Sequence, residues 1–210
     1  MIVMFLINAI YFKGTWTYEF DQEETKDDEF TLLDGSKVPC RMMEQEADLL
    51  YMSNDLFQIV DLPYGDKLFS MTVILPSPGV TVDSVVALLT PGNWAEWMSG
   101  LETMGIRLQL PKLKLEYGLE MKNVLKSLGM GIAFNEPLGV DFSRMIEPPG
   151  LVWIDKVKHK TFVQVDEEGT EAAAATVVVM VYESAGGGDP LLVRVDRPFI
   201  FVIREDQSLE

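Results

Sequence analysis

Cysteine and histidine are nearly absent from this sequence: Cys40 and His159 stand alone among 210 residues. One cysteine rules out an internal disulfide and any thiolate-based metal cluster. One histidine leaves a Ser-His-Asp hydrolase a single possible base, and His159 lies in mid-strand with no G-x-S-x-G elbow anywhere. A transition-metal site would need mostly carboxylates, and runs such as Asp27-Asp28-Glu29 are ordinary solvated surface. There is no Walker loop and no dinucleotide-binding glycine fingerprint, Gly129-Met130-Gly131 being too little. The sequence therefore reads as a non-enzyme with no cofactor and no metal.

Basic residues are also scarce. Lys and Arg number 17 against 33 Asp and Glu, a net charge of −16. Such a chain has little with which to neutralise a phosphate backbone or to sit on an anionic membrane. The longest apolar run near the start, Met1–Phe12, is too short to span a bilayer and lacks the basic segment and cleavage site of a signal peptide. It reads as a buried strand, covered on two sides.

What the sequence has in abundance is short strands. Phe30–Leu33 and Lys37–Met43 flank Asp34-Gly35, a hairpin signal, after an acidic stretch from Glu19 to Glu29 that reads as a solvated loop or edge. Leu49–Met52, Phe57–Leu62 and Leu68–Leu75 continue the meander to Pro76-Ser77-Pro78-Gly79. Val82–Leu89 and Trp94–Met104 have helical spacing and are parted by Pro91-Gly92, and Leu119–Leu128 forms a third amphipathic helix stopped by Gly129. Ile106–Leu115 alternates as a long strand interrupted by Pro111, a sign of a bulge or an edge. A second long strand runs from about Leu151 to Asp166, and Leu191–Val195 and Phe199–Ile203 close the chain. Many strands and few helices, without strict βαβ order, indicate an α+β domain with mixed β-sheets.

Two polar residues stand out on apolar strands. Asn8 is the one strongly polar side chain in Met1–Phe12, and His159 shares a face with Val157, Thr161, Val163 and Val165. A buried polar group left unpaired costs about 1–3 kcal/mol, so the two are expected to lie near each other and to satisfy one another, directly or through a third group. His159 is read as a core histidine with a hydrogen-bond partner.

The segment Glu167-Glu168-Gly169-Thr170-Glu171-Ala172-Ala173-Ala174-Ala175-Thr176 is the most informative. Four alanines favour helix, and Thr170 suits a cap. The run Val177–Val181 and Tyr182 then opposes helix continuation through its β-branched side chains. The segment is poised between loop and strand.

That stretch resembles the hinge of the reactive-centre loop of the serpin family, in the form typical of its inhibitory members. Three further motifs occur in the family's order. Asn8-Ala9-Ile10-Tyr11-Phe12-Lys13-Gly14-Thr15-Trp16 is similar to the third strand of the serpin main sheet and its exit. Leu110-Pro111-Lys112-Leu113 resembles the sixth strand of that sheet, and Asp196-Arg197-Pro198-Phe199-Ile200-Phe201-Val202-Ile203 the strand after the loop. The resemblance implies a serpin-like fold with an exposed reactive-centre loop over residues 167–190. It implies a shutter at Asn8 and His159, and a breach where Trp16, Lys112 and Glu167 meet.

The function implied is inhibition of serine proteases. A protease cuts the loop and forms its acyl-enzyme; the cut loop then enters the sheet as a new strand and carries the protease with it. Counting along the family pattern puts the scissile bond near Glu183-Ser184, with Met180 and Tyr182 as further candidates for the residue read by the protease. No Lys or Arg lies between Glu171 and Val193, so the target is not trypsin-like; elastase-, subtilisin-, chymotrypsin- or glutamyl-specific proteases remain. An extracellular or secreted protein is implied, its signal lying upstream. Residues 1–210 would then be a single incomplete domain, lacking the N-terminal helices, the first main-sheet strands with a serine partner for the shutter, and the final strand, and exposing the faces they cover. Two alternatives stay open: a non-inhibitory serpin acting as a carrier or chaperone, whose hinge would normally hold bulky or charged residues, and an inactive fragment.

In an inserted strand Thr170, Ala172, Ala174, Thr176, Val178 and Met180 share one face, and a charge entering there would lose its water. Thr170→Arg in a full-length version is therefore expected to turn inhibitor into substrate. The check is a gel assay: the variant should be cleaved without a covalent complex, and a persistent complex would refute the assignment.

Overall fold

Extended backbone predominates among the described residues, and the few helices among them are short. The computed structural model describes residues 2–10, 12–134, 142–145, 152–170 and 189–206. The strands are β1 (Ile2–Ile10), β2 (Gly14–Thr15), β3 (Lys26–Thr31), β4 (Lys37–Ser53), β5 (Phe57–Tyr64) and β6 (Phe69–Pro76). Helices α1 (Val82–Ala87) and α2 (Pro91–Ser99) follow, then β7 (Glu102–Pro111), β8 (Leu113–Glu120) and the single turn α3 (Lys122–Leu125). The remaining strands are β9 (Val152–Val165), β10 (Gly169–Thr170), β11 (Leu191–Arg194) and β12 (Ile200–Glu205). This is the mixed-sheet α+β architecture that the alternation pattern implied.

The chain groups into two compact units. One comprises Met1–Phe12 and Lys114–Val163. In it β1 runs parallel to β9, with Asn8 opposite His159, and β8 pairs with β9. Ala133, Phe134, Ile154 and Val157 form its core, with Met4, Met121, Leu125 and Phe142 packed around them. β1 does not have the two-sided cover expected of it: Phe5 is 59% and Ile7 76% exposed, because among the described residues β1 has β9 as its only strand partner.

The other unit comprises Lys13–Leu113 and Gln164–Glu210. Its seven-stranded sheet has the order β11-β7-β4-β5-β6-β12, with β3 paired to β4. All of its pairings are antiparallel except β11 with β7. The Asp34-Gly35 turn closes the β3–β4 hairpin as expected: Gly35 takes φ +82°, and the Asp34 carboxylate accepts from the backbone N–H and the hydroxyl of Ser36. On one face Phe57, Ile59 and Ile74 meet Val85 of α1 and Trp97 of α2, the Phe57 and Trp97 rings lying 4.6 Å apart.

Several boundaries differ from the sequence expectation. The strands expected at Lys37–Met43 and Leu49–Met52 are one strand, β4. The polar stretch between them is carried across by cross-strand partners, Glu44 accepting from Gln109 at 2.6 Å and Glu46 from Arg107 at 3.3 Å. Pro91 opens α2 instead of only breaking the helical pattern: its missing N–H costs nothing at a first helical position, and Thr90 caps the turn from Asn93 N–H. Met104 falls in β7. The long strand expected over Ile106–Leu115 is two strands, β7 and β8, parted at Lys112 after Pro111. The helix expected over Leu119–Leu128 shrinks to α3 and a wider turn over Lys126–Met130.

Ile59 is fully buried in this core, whereas Leu33 is 83% exposed at the hairpin turn. Ile59→Ala should cost about 2–5 kcal/mol, and Leu33→Ala should stay within about 0.5 kcal/mol of wild type. Chemical unfolding of the two variants beside wild type measures both.

Candidate functional site

Four residues, Asp166 to Gly169, turn the chain from β9 into β10. The turn closes with Asp166 N–H donating to Gly169 C=O at 3.0 Å, and the Asp166 carboxylate also accepts from Glu168 N–H at 3.3 Å. Thr170 then pairs with Val165 on one side and Gly14 on the other, while Gly169 pairs with Thr15. Gly169 has φ +151°, and a side-chain carbon there would come within 2.1 Å of Gly14 C=O. Only glycine fits.

Trp16 is buried beside this turn. Its indole N–H donates to Asp166 C=O at 2.9 Å, and its backbone N–H to Glu168 C=O at 2.9 Å. Phe20 adds a backbone N–H to Glu167 C=O at 3.0 Å. The Trp16 ring stacks on Tyr64 at 4.4 Å and 13° and meets Phe20 edge-on at 6.2 Å.

The carboxylate of Glu167 has both oxygens engaged: Lys112 Nζ donates to one at 2.6 Å, and the buried Thr25 hydroxyl to the other at 2.8 Å. Lys112 is in turn held by its N–H to Arg41 C=O at 2.8 Å. Burial is the strongest influence on the Glu167 carboxyl and opposes its charge. The bond from Lys112, a backbone N–H, the Thr25 hydroxyl and the Lys112 charge together outweigh it, and the carboxyl sits below the ordinary glutamate value.

The structure thus brings Trp16, Lys112 and Glu167 together at the head of the segment that the sequence singled out. Thr25, Tyr64 and Asp166 belong to the same cluster and were not picked out from sequence. Thr25 sits in a stretch read as solvated loop, and Tyr64 beside a turn signal; a lone buried-type hydroxyl in an acidic run was the only available hint. Thr170 is the second residue of strand β10.

Asn8 and His159 are adjacent, as expected, but Asn8 is exposed and not buried. The half-buried His159 ring instead meets the Thr161 hydroxyl at 3.2 Å on its own strand. The exposure of Asn8 follows from the open side of β1. Leu110-Pro111-Lys112-Leu113 straddles the end of β7 and the start of β8 rather than lying in one strand. Hinge residues Glu171, Ala172, Ala173, Ala174, Ala175 and Thr176, and the scissile candidates Met180, Tyr182, Glu183 and Ser184, lie outside the described residues. At the far end of the segment, Arg194 fixes β11 through Asp28 at 2.6 Å, Gln109 at 2.8 Å and Asp196 at 3.2 Å. Among the described residues no group of three or more His, Cys, Asp or Glu is placed to hold a metal ion, and no helix is long and apolar enough to cross a membrane.

A protein-family model described as Serpin (serine protease inhibitor) matches residues 2–209. Serpin-Z1A of Triticum aestivum is 38% identical over 212 residues, covering 97% of this chain and 52% of that protein. The native structure of the thermophilic serpin Tengpin matches with a TM-score of 0.78 and 32% identity, over 96% of this chain and 52% of that one. A thyroxine-binding globulin complex with thyroxine matches with a TM-score of 0.81 and 25% identity, over 97% of this chain and 53% of that one. The chain spans about half the length of the relatives it matches.

The ordinary glutamate value is 4.5, and that of Glu167 in the fold lies lower. Its stabilising contribution is complete above 4.5 and is lost as pH falls through the lower, folded value. The stability difference between wild type and Glu167→Gln should therefore be constant above pH 4.5 and narrow below it, as read from denaturant midpoints across the acid range. A constant difference would mean that the charge of Glu167 plays no part.

Proposed function

The chain belongs to the serpin family, and we propose that residues 1–210 are the C-terminal portion of one serpin domain that inhibits serine proteases as a suicide substrate. The observation that carries this reading is the state of the hinge. Glu167 is anchored, Gly169 and Thr170 are already in strand geometry, and the residues that follow are small and uncharged but for Glu171. A strand that begins this way can be extended residue by residue along β9, each step adding ladder hydrogen bonds once β1 gives up its own pairing with β9. The open side of β1, with Phe5 and Ile7 exposed, supports the view that further strands and helices of the domain belong there.

In this reading Glu167, Glu168, Gly169, Thr170 and the run to Thr176 are the hinge. Trp16, Lys112 and Glu167 form the breach that anchors it, and Asn8 and His159 belong to the shutter. The protease reads a residue among Met180, Tyr182 and Glu183 and cuts near Glu183-Ser184. The absence of Lys and Arg from this stretch excludes trypsin-like targets. The family resemblance also carries the proposal of an extracellular site of action. A non-inhibitory role is disfavoured by the four consecutive alanines, which leave nothing bulky or charged among them to oppose entry of the hinge.

Mixing the complete protein with elastase-, chymotrypsin-, subtilisin- and glutamyl-specific proteases should yield an SDS-resistant complex with at least one. Mass spectrometry of the released C-terminal peptide should then place the cut between residues 180 and 185. Cleavage by every protease in the panel without any covalent complex would exclude inhibition.

A further inference from the structure

Tyr64 has no part in the reading above, yet its hydroxyl lies 2.7 Å from the Thr170 hydroxyl, with both groups buried. Thr170 is 1% exposed, so the first residue of the insertion face is fully enclosed before any cut is made. The ring of Tyr64 has little freedom to wander, since it is stacked on Trp16, which is itself tied to Asp166 and Glu168. Burial pushes the ionisation of the Tyr64 hydroxyl far up, and the bond to Thr170 offsets this only in part, so the hydroxyl keeps its proton and remains able to donate.

We propose that Tyr64 is a positioning residue: its hydroxyl seats Thr170 between Val165 and Gly14, so that the loop stands one residue into the sheet before cleavage and extension starts at Glu171, with Ala172 the next residue on the insertion face. This rests on the inhibitor reading. Starting a strand means ordering the chain before ladder bonds accumulate, and that is the unfavourable part of the process. A pre-seated Thr170 removes that step. Once the loop is cut, insertion then competes better with hydrolysis of the acyl-enzyme. Tyr64 touches neither protease nor scissile bond in this scheme, so it should set the partition between capture and release and not the rate of the first encounter.

Two measurements on the complete protein test this. The first needs no protease: amide hydrogen exchange across Gly169–Thr170 in wild type, Tyr64→Phe, Thr170→Val and Thr170→Ser. Tyr64→Phe and Thr170→Val each remove one hydroxyl while keeping shape, and exchange should quicken about two- to tenfold, the range set by one buried hydrogen bond. Thr170→Ser should restore the wild-type rate, and the double variant Tyr64→Phe/Thr170→Val should be no faster than either single one. Unchanged exchange in Tyr64→Phe would overturn the seat. The second is the stoichiometry of inhibition. It should rise in Tyr64→Phe and Thr170→Val with the association rate and melting temperature near wild type, and Thr170→Ser should again rescue it. Faster exchange with unchanged stoichiometry would overturn the role in partition. If wild type traps no protease at all, the inhibitor reading fails, and the exchange series still decides whether Tyr64 seats Thr170.

Discussion

Glu167 carries a charge that is almost out of water, and the turn after β9 is arranged around that fact. An isolated buried carboxylate is so unfavourable that it is retained only when its oxygens are matched. Here Lys112 takes one oxygen and Thr25 the other. To make both bonds, the chain must bring together the end of β7, the stretch before β3 and the turn after β9. Trp16 and Phe20 then tie their backbone amides to the same turn. The consequence is directional: with Glu167 fixed, Gly169 and Thr170 leave the turn along one path, between Val165 and Gly14.

That path explains the choice of residues on either side. Gly169 has to be glycine because Gly14 and Thr15 leave no room for a side chain. Thr170 is small enough to be enclosed and still offers a hydroxyl to Tyr64. At the other end, Arg194 is held by two carboxylates and a glutamine, so β11 is as firmly placed as the turn at Glu167. Residues 171–190 thus run between two anchored ends. In the proposed mechanism this segment, with small residues near its start and β-branched ones further on, enters the sheet only after it is cut. An uncut chain fixed at both ends cannot lengthen a strand beyond what its tether allows.

Much of this was legible in the sequence, and what was not has identifiable causes. Apolar runs and alternation exposed most of the longer strands, and Asp34-Gly35 marked its hairpin, but Lys26–Glu29 of β3 lie in an acidic stretch that reads as loop or edge. The motif around Trp16 and the pair Lys112 and Glu167 could be named because they lie inside recognisable stretches. Boundaries failed where polar residues continue a strand, as at Glu44 and Glu46, whose partners Gln109 and Arg107 are some sixty positions away in sequence. Thr25 and Tyr64 were not legible for the same reason. Each is a common residue whose meaning comes from a partner more than a hundred positions distant. Asn8 was misjudged on burial because an apolar run reveals that a strand wants cover, not whether this chain supplies it.

We propose that the stretch beginning at Gly169 is a spare strand that can extend along β9, where β1 now pairs. A single backbone cut tests it most directly: nick the complete protein once between residues 177 and 188 with a protease that is not trapped, then compare melting temperatures before and after. Insertion of the released strand predicts a large rise in melting temperature for the nicked form. A nicked protein that melts at or below the temperature of the intact one would contradict the account.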